Sequence, residues 1–160
     1  MSQKLTLKKI FQHNFDDFIL LIEKLAEYEH LEKPDEQAKE RLKKDGLGNH
    51  PKYEAVLGYL DKRPIGYLIY FMTYSSFLAL PTLFIEDIFI LENFRRLGFG
   101  QQFFDFCIKL ARQRGCGRME WCVLTWNEPA IKFYEKNKAQ KLDWYFYRYD
   151  KDQIYNTAND

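Results

Sequence analysis

The stretch "LFIEDIFILENFRRLGFGQQFFDFCIKL", residues 83–110, decides the fold class of this chain. It opens with a nearly continuous apolar run, which is typical of a strand buried on both faces. A turn containing Gly98 and Gly100 follows, and apolar residues then recur on one side of a helix that we expect to end at Gly115. A buried strand, a glycine turn and a helix in this order indicate an α/β domain.

Apolar patterns with the period of a strand or a helix also occur in the rest of the chain. Strands are predicted at residues 4–10, 52–60, 64–74, 82–91, 118–124 and 143–150. Further helices are predicted after a cap at Asn14, over residues 35–44 with a stop at Gly46, and over residues 127–137. We therefore expect one α/β (α+β) domain over residues 1–150, with helices packed on a mixed sheet, and a polar tail over residues 151–160.

Charge balance, cysteine spacing and hydropathy argue against several classes of protein. Lys plus Arg number 24 and Asp plus Glu number 23, which argues against bulk-charge binding to nucleic acid or an anionic membrane. Cys107, Cys116 and Cys122 form no Cys-x-x-Cys pair, so reduced thiols are favoured over a disulfide frame or a zinc site. No apolar stretch has the length of a signal-peptide core or a membrane span, which favours a cytoplasmic protein.

The glycine turn is a candidate anion site. A dinucleotide fingerprint needs a third glycine where Phe103 stands, and a P-loop needs a Gly-Lys-Ser/Thr that is absent. The pattern Arg95-x-x-Gly98-x-Gly100 offers close backbone approach, free helix amides and basic side chains. An ordinary strand-to-helix turn with solvated arginines explains the same residues.

Candidate proton-transfer residues flank this turn. Glu86 and Asp87 interrupt an apolar strand, where carboxylates are costly unless they are paired or used, so a structural ion pair is the alternative. Downstream, Asn127 is a predicted helix cap, and Tyr134 lies about two turns into that helix. Core packing is the alternative for Tyr134.

Taken together, "LFIEDIFI", "RRLGFG" and "WNEPAIKFYEKNKA" resemble the GNAT superfamily of acetyl-CoA-dependent N-acetyltransferases. With "LAEYEHLE" and "DGLGNHPKY", the chain is similar to the spermidine/spermine and thialysine acetyltransferase branch. The resemblance implies the GNAT fold, with a mixed, mostly antiparallel sheet of six to seven strands flanked by helices. It also implies acetyl-CoA as co-substrate, no metal, a small amine partner and a homodimer.

The resemblance assigns roles to particular residues. Glu86 matches the general base and Tyr134 the general acid. The implied acetyl-CoA contacts are Ile88, Phe89 and Ile90 for the pantetheine arm, Arg95, Arg96, Leu97, Gly98, Phe99, Gly100 and Gln101 for the pyrophosphate, and Asn127, Glu128, Pro129 and Ala130. The implied acceptor contacts are Tyr28, Glu29, Glu86, Glu120, Trp121 and Cys122. Transfer is expected to be direct, because no cysteine has an evident base partner.

The resemblance implies an acceptor amine of polyamine or lysine-like type. Polyamine-acetylating members carry an Asp and a Trp before the key strand, whereas this chain has Ser75 or Ser76 and Phe77, closer to the thialysine variant. The acidic residues between Glu27 and Glu36 either attract a cation or form a solvated helix face. Acetylation of protein lysines or N-termini is the alternative within the same chemistry, and a non-catalytic acyl-CoA-binding module is the alternative outside it.

Overall fold

The computed structural model describes residues 4–156. The strands are β1 (Thr6–Lys9), β2 (Glu54–Leu60), β3 (Arg63–Ser75), β4 (Leu80–Ile90) and β5 (Arg118–Trp121). The helices are α1 (Phe15–Glu29), α2 (Glu36–Leu47), α3 (Phe99–Gln113), α4 (Glu128–Lys136) and α5 (Lys151–Asn156), with single 3₁₀ turns at Gln12–Asn14 and Glu92–Phe94. The chain separates into two compact units, one up to Cys122 and one from Val123 onward.

The first unit is built on one mixed sheet. Its strands lie in the order β1-β2-β3-β4-β5, antiparallel except for the parallel pair β4 and β5. The neighbouring strands β2 and β3 form an antiparallel hairpin. The mixed, mostly antiparallel sheet of the GNAT fold is therefore confirmed.

The expected strand count needs a correction. Among residues 4–156 the sheet has five strands rather than six to seven. The predicted strand at residues 143–150 has no regular secondary structure. A strand is stabilised by a hydrogen-bonding partner on a neighbouring strand, and an apolar pattern does not by itself provide one.

Helices cover both faces of the sheet. On one face, Phe18 and Leu21 of α1 pack with Tyr67 and Phe89 in a buried cluster. On the other face, α3 lies so close to β2 that a Cβ on Gly58 would come within 2.7 Å of the Phe103 ring. The predicted apolar stripe of α3 and the apolar side chains of α1 are thus buried against the sheet.

Two helix-end predictions are wrong. Gly46 lies inside α2, which runs on to Leu47, and a Cβ at Gly46 would lie 2.5 Å from the Tyr53 hydroxyl oxygen. Close packing, rather than helix termination, explains this glycine. Asn14 precedes α1 without capping it, because its side-chain oxygen accepts a hydrogen bond from the Phe11 amide at 2.7 Å.

A β-bulge interrupts β4 at Glu86. In the pairing with β3, Ile85 lies opposite Tyr70 and Asp87 opposite Ile69, so Glu86 is the extra residue. Strict alternation therefore fails at this point. Bulges of this kind redirect side chains and are common beside active sites.

The second unit holds α4 and α5. Helix α4 begins after Asn127, as predicted, and Lys151–Asn156 of the expected tail form the short helix α5. Residues 157–160 of that expected tail lie outside the described residues. Within residues 4–156, every helix is too short or too polar to cross a bilayer.

Candidate active site

The loop between β4 and α3 turns sharply on left-handed residues. Gly98 has a φ of 85° and Arg96 a φ of 63°. For a residue with a side chain this conformation costs about 1–2 kcal/mol, and such strain is concentrated at functional sites. The first amides of α3, which begins at Phe99, have no intrahelical acceptor and point out of the helix end.

Open space lies beside both glycines of this loop. A Cβ built on Gly98 or on Gly100 would meet no described atom within 4 Å outside its immediate chain surroundings. Gly58 and Gly66, by contrast, are closely covered by neighbouring residues. An open glycine turn at a helix N-terminus fits a bound pyrophosphate, whose charge the helix end favours.

Arg95 ties this loop to α1. Its Nε donates a hydrogen bond to the Ile90 carbonyl at 2.9 Å. Its guanidinium lies 4.1 Å from the centre of the Tyr28 ring and 5.6 Å from that of Phe89. The structure therefore brings together an expected acceptor contact, Tyr28, and three expected cofactor contacts.

The carboxylates of Glu86 and Glu29 lie within electrostatic reach of Asp87 at the bulge. Glu86 is exposed, whereas Asp87 is partly buried and accepts a hydrogen bond from the Tyr67 hydroxyl at 3.3 Å. Burial, followed by the nearby negative charges of Glu86 and Glu29, raises the pKa of Asp87 to about 6. Burial also raises the pKa of Glu29. A cationic amine is the kind of ligand that this arrangement favours.

The β5 residues lie beside β4, just before the bulge. Glu120 pairs in register with Phe84, and Trp121 with Ile85. Glu120 forms an ion pair with Arg118 at 3.1 Å, and Trp121 meets the Phe104 ring edge-on at 5.4 Å. Cys122, the last expected acceptor contact, is exposed after the strand.

Most of the acidic residues between Glu27 and Glu36 form ion pairs or hydrogen bonds within the protein. Glu27 bridges Lys24 at 2.8 Å and Lys33 at 2.7 Å, and Asp35 caps α2 by accepting a hydrogen bond from the Ala38 amide. These contacts support a solvated helix face. Glu29 is different, because it is partly buried and its charge acts on Asp87 at the bulge.

The turn between β3 and β4 holds the residues that depart from the polyamine pattern. Ser75 is buried, and its hydroxyl accepts a hydrogen bond from the Leu78 amide at 3.2 Å. Phe77 is fully exposed at the tip. Ser75 therefore stabilises the turn. Residues 75–79 contain no carboxylate in the place where polyamine-acetylating members carry an Asp.

The remaining expected site residues lie in the second unit. The Asn127 side chain accepts a hydrogen bond from the Ala130 amide at 3.3 Å and caps α4, whose first turn contains Glu128 and Pro129. Tyr134 is half-buried in the same helix, with its ring 5.2 Å from that of Phe133.

Sequence reasoning missed the partners that hold these elements. The sequence places Asp87 beside Glu86, whereas its bond to Tyr67 depends on strand register. Burial raises the pKa of the Cys107 thiol to about 12, which makes it a poor nucleophile and agrees with the expectation of direct transfer. The position of Cys107 on the apolar side of its predicted helix indicates burial from the sequence alone. No sequence pattern indicates the hydrogen bond between Tyr67 and Asp87.

A coenzyme A-dependent acyltransferase is the class that this fold and loop define. Residues 9–138 match the Acetyltransferase (GNAT) family, and the chain belongs to that family. The predicted enzyme class, an N-acetyltransferase, is confirmed, and acetyl-CoA is the acetyl donor in this family.

Several relatives with an assigned activity are N-acetyltransferases. An L-ornithine N5-acetyltransferase of Arabidopsis thaliana is 42% identical over 90 residues, which are 56% of this chain and 40% of that protein. The thialysine N-epsilon-acetyltransferase of Caenorhabditis elegans is 30% identical over 139 residues, 84% of this chain and 85% of the relative. The bovine (Bos taurus) enzyme of the same name is 28% identical with the same coverage of both chains. The predicted branch is therefore confirmed.

Solved structures share the fold at low sequence identity. An integron cassette protein of V. cholerae superposes with a TM-score of 0.82 at 19% identity, covering 100% of this chain and 99% of the other. An aminoglycoside N-acetyltransferase solved in complex with CoA superposes with a TM-score of 0.73 at 16% identity, covering 92% and 95%.

Proposed function

We propose that this chain transfers the acetyl group of acetyl-CoA directly to the terminal primary amine of a small, lysine-like acceptor. The observation that carries the proposal is the open glycine loop at the start of α3, which follows the strand that contains the bulge at Glu86. Bound acetyl-CoA supplies an acetyl thioester, whose carbonyl the amine attacks. The chain's own groups bind the cofactor, orient the amine and move two protons.

The loop from Arg95 to Gln101 would hold the pyrophosphate. Its helix amides and the exposed Arg96 supply donors and positive charge. Arg95 is engaged by Ile90 and stacked on Tyr28, so we assign it mainly to shaping the loop. The backbone of Ile88–Ile90 would pair with the pantetheine arm, and Asn127 with the first turn of α4 would complete the cofactor contacts.

Glu86 is the proposed base. An amine must lose a proton before it attacks, and the bulge turns an exposed carboxylate out of the strand at this position. Proton transfer runs from the amine to Glu86, directly or through one water. Tyr134 is the proposed acid, which protonates the departing thiolate; this role rests on its match to the family motif and on its place in α4.

The acceptor is argued from charge. Glu29, Glu86 and Asp87 form a region that favours a cation, and Tyr28, Glu120, Trp121 and Cys122 are the further proposed contacts. Ser75 and Phe77 at the β3–β4 turn depart from the polyamine pattern. Ornithine and thialysine, the acceptors in the names of two relatives, carry a terminal side-chain amine. We therefore place basic amino acids ahead of spermidine, and protein lysines behind both.

The proposal includes a cytoplasmic homodimer, as the resemblance implies. Neither nucleic acid nor a membrane is proposed as a partner, and no metal enters the reaction.

The test combines an amine panel with two variants. Release of CoA is measured with L-ornithine, thialysine, L-lysine, spermidine and a lysine peptide, and the basic amino acids are expected to give the highest kcat/KM. Glu86→Gln and Tyr134→Phe should each lower kcat by roughly 10²- to 10⁴-fold. The dissociation constant for acetyl-CoA, measured by calorimetry, should stay within about twofold of the parent value, a difference well below 1 kcal/mol.

Matched controls are available on exposed surfaces. Glu40→Gln and Tyr155→Phe make the same chemical changes at exposed positions and should retain full activity. Full turnover by Tyr134→Phe would remove Tyr134 from the mechanism. A parent protein that shows no acetyl-CoA binding would contradict the whole proposal.

A further inference from the structure

Tyr67 is a buried residue of β3 whose hydroxyl donates a hydrogen bond to the Asp87 carboxylate of β4 at 3.3 Å. Tyr67 pairs in register with Phe89, and Asp87 lies two positions before Phe89 on the same strand. Tyr67 and Asp87 are thus diagonal neighbours on one face of the sheet, a separation that an aromatic side chain spans. The strand register therefore brings this hydroxyl to this carboxylate.

Packing fixes the direction of the Tyr67 side chain. The residue is fully covered, and its ring centre lies 5.6 Å from that of Phe18 in α1 and 6.0 Å from that of Phe89. A ring held on two sides in a close-packed interior has one well-defined position. The hydroxyl is therefore fixed, and it holds the Asp87 carboxylate on the α1 side of the sheet.

Asp87 has no cation to balance its charge. It forms no ion pair with any residue that the structure describes. The charged groups that act on it are Glu29 of α1 and Glu86 of its own strand, and both are acidic. The Arg95 side chain donates to the Ile90 carbonyl instead. A partly buried carboxylate in these surroundings is stabilised by a bound cation.

A second tyrosine–carboxylate bond in the same sheet differs in this respect. The Tyr70 hydroxyl donates to the Glu54 carboxylate at 3.1 Å, and Glu54 also accepts hydrogen bonds from the Arg114 guanidinium. Glu54 therefore has its cation within the protein. Asp87 has the tyrosine without the cation, which indicates that a cationic group of a ligand is its missing partner.

We propose that Tyr67 is a positioning residue for the acceptor: its hydroxyl holds the Asp87 carboxylate toward α1, where Asp87 and Glu29 bind an ammonium group of the amine. This inference rests on the proposed function, in which the acceptor is a cationic amine. Tyr67 acts only through Asp87 and does not itself touch the acceptor. Glu86 keeps its separate role as the proposed base.

The same hydrogen bond favours the charged form of Asp87. Burial and the charges of Glu86 and Glu29 raise the pKa of Asp87 to about 6, whereas the bond from Tyr67 lowers it. Removal of the hydroxyl therefore raises this pKa further. In Tyr67→Phe the pKa of Asp87 should lie at about 6.5–7, an effect of the size expected for one lost hydrogen bond.

Calorimetry with L-ornithine tests the proposal on protein saturated with CoA, which has no acetyl group to transfer. Because the ionised carboxylate binds the ammonium group, affinity should fall as pH drops through the pKa of Asp87. Compared with the parent, Tyr67→Phe should bind L-ornithine about two- to fivefold more weakly at pH 6 and within about 1.2-fold at pH 8.5. Carbon-13 NMR titration of the aspartate carboxyls, without ligand, should show the raised pKa directly.

Tyr70→Phe is the matched control, because it removes an equally buried tyrosine hydroxyl from a carboxylate that has its own cation. It should leave L-ornithine affinity unchanged at both pH values. Asp87→Asn should weaken binding about 10-fold at pH 8.5, the loss of one charge-assisted contact, and should remove the pH dependence. Tyr67→Phe added to Asp87→Asn should then change affinity by less than about 1.5-fold.

Equal weakening by Tyr67→Phe at pH 6 and pH 8.5 would overturn the proposal, because it would indicate a purely structural role. An unchanged pKa of Asp87 in that variant would do the same. Parental affinity of Asp87→Asn at pH 8.5 would also overturn it, and this result does not depend on the folding of Tyr67→Phe. L-Ornithine that binds with the expected pH dependence, but releases no CoA from acetyl-CoA, would contradict the proposed acetyl transfer and support the role of Tyr67.

Discussion

At the scale of single residues, the bulge at Glu86 separates two neighbouring carboxylates by environment. Glu86 is exposed, and Asp87 is held against Tyr67 on the α1 side of the sheet. The two residues are adjacent in sequence and chemically similar, so composition alone treats them alike. Their difference arises from the cross-strand register, which skips Glu86.

Asp87 gives a pH-dependent prediction. Its pKa is raised from 3.8 to about 6, chiefly by burial, so between these values the folded state binds more protons than the unfolded state. The contribution of Asp87 to stability therefore falls as pH rises from about 4 to 6. Asp87→Asn should raise the free energy of unfolding at pH 7 by about 1–3 kcal/mol, because the amide stays neutral and still accepts a bond from Tyr67.

Urea denaturation of parent and variant at pH 4 and pH 7 measures this effect. The gain should disappear near pH 4, where the native carboxyl is already protonated. Glu40→Gln, the same change at an exposed acid, should alter the free energy of unfolding by less than about 0.5 kcal/mol at either pH. An Asp87→Asn variant that is less stable than the parent at pH 7 would contradict the assignment.

At the scale of elements, glycines serve two different purposes in two helices. Gly46 lies inside α2 under the Tyr53 ring, whose hydroxyl donates to the Leu42 carbonyl at 2.6 Å. Gly100 lies in the first turn of α3 beside open space. The first glycine permits packing within the protein, and the second leaves room for a ligand.

Alanine substitutions at Gly100 and Gly46 test the ligand-binding role and the packing role separately. Gly100→Ala should raise the free energy of unfolding by about 0.5 kcal/mol, because alanine is the better helix former and meets no clash. The same variant should weaken acetyl-CoA binding about 10-fold or more, a loss of about 1.4 kcal/mol, because its methyl group enters the pyrophosphate space. Calorimetry with acetyl-CoA and thermal unfolding measure the two effects.

Gly46→Ala is the matched control. Its Cβ would lie 2.5 Å from the Tyr53 hydroxyl oxygen, so it should lose about 1–3 kcal/mol of stability while binding acetyl-CoA normally. Unchanged acetyl-CoA affinity in Gly100→Ala would move the pyrophosphate away from this turn.

At the scale of the whole molecule, one ion pair links the sheet to α3 in the first unit. The Arg114 guanidinium, just after α3, makes two hydrogen bonds to the Glu54 carboxylate of β2, one of them at 2.7 Å between Nη2 and Oε2. The Tyr70 hydroxyl of β3 donates to the same carboxylate at 3.1 Å. The bidentate bond to Arg114 lowers the pKa of Glu54.

Loss of this pair should destabilise the fold in a pH-dependent way. Arg114→Met should cost about 1–3 kcal/mol at pH 7, because the partly buried Glu54 loses its two hydrogen bonds to a charged partner and keeps only the longer contact with Lys9. Since the native pKa of Glu54 is lowered, the stabilisation is complete above the ordinary glutamate pKa of 4.5 and is lost as pH falls below it. Urea denaturation at pH 7 and at pH 3 should show the difference shrinking in acid.

Arg112→Met controls for the charge at the end of the helix. Arg112 is exposed in the last turn of α3, so its loss should cost less than about 0.5 kcal/mol. Equal losses in the two variants would indicate that helix-end charge, and not the pair with Glu54, carries the effect.

The sequence by itself determined the order of elements as far as α4, the glycine loop and the family. These depend on local patterns: the apolar run of β4, the left-handed turn at Gly98 and the cap at Asn127 all express their preferences within a few residues. The same local reading predicted a strand at residues 143–150, where the structure has none, because periodicity does not reveal whether a strand finds a partner.

Only the tertiary structure decided how the site is assembled. The bulge at Glu86 depends on the pairing of β4 with β3. The stacking of Arg95 on Tyr28 joins residues far apart in the chain, and so does the bond between Tyr67 and Asp87. Such contacts depend on which strands and helices become neighbours, and no short-range pattern of side chains encodes that choice.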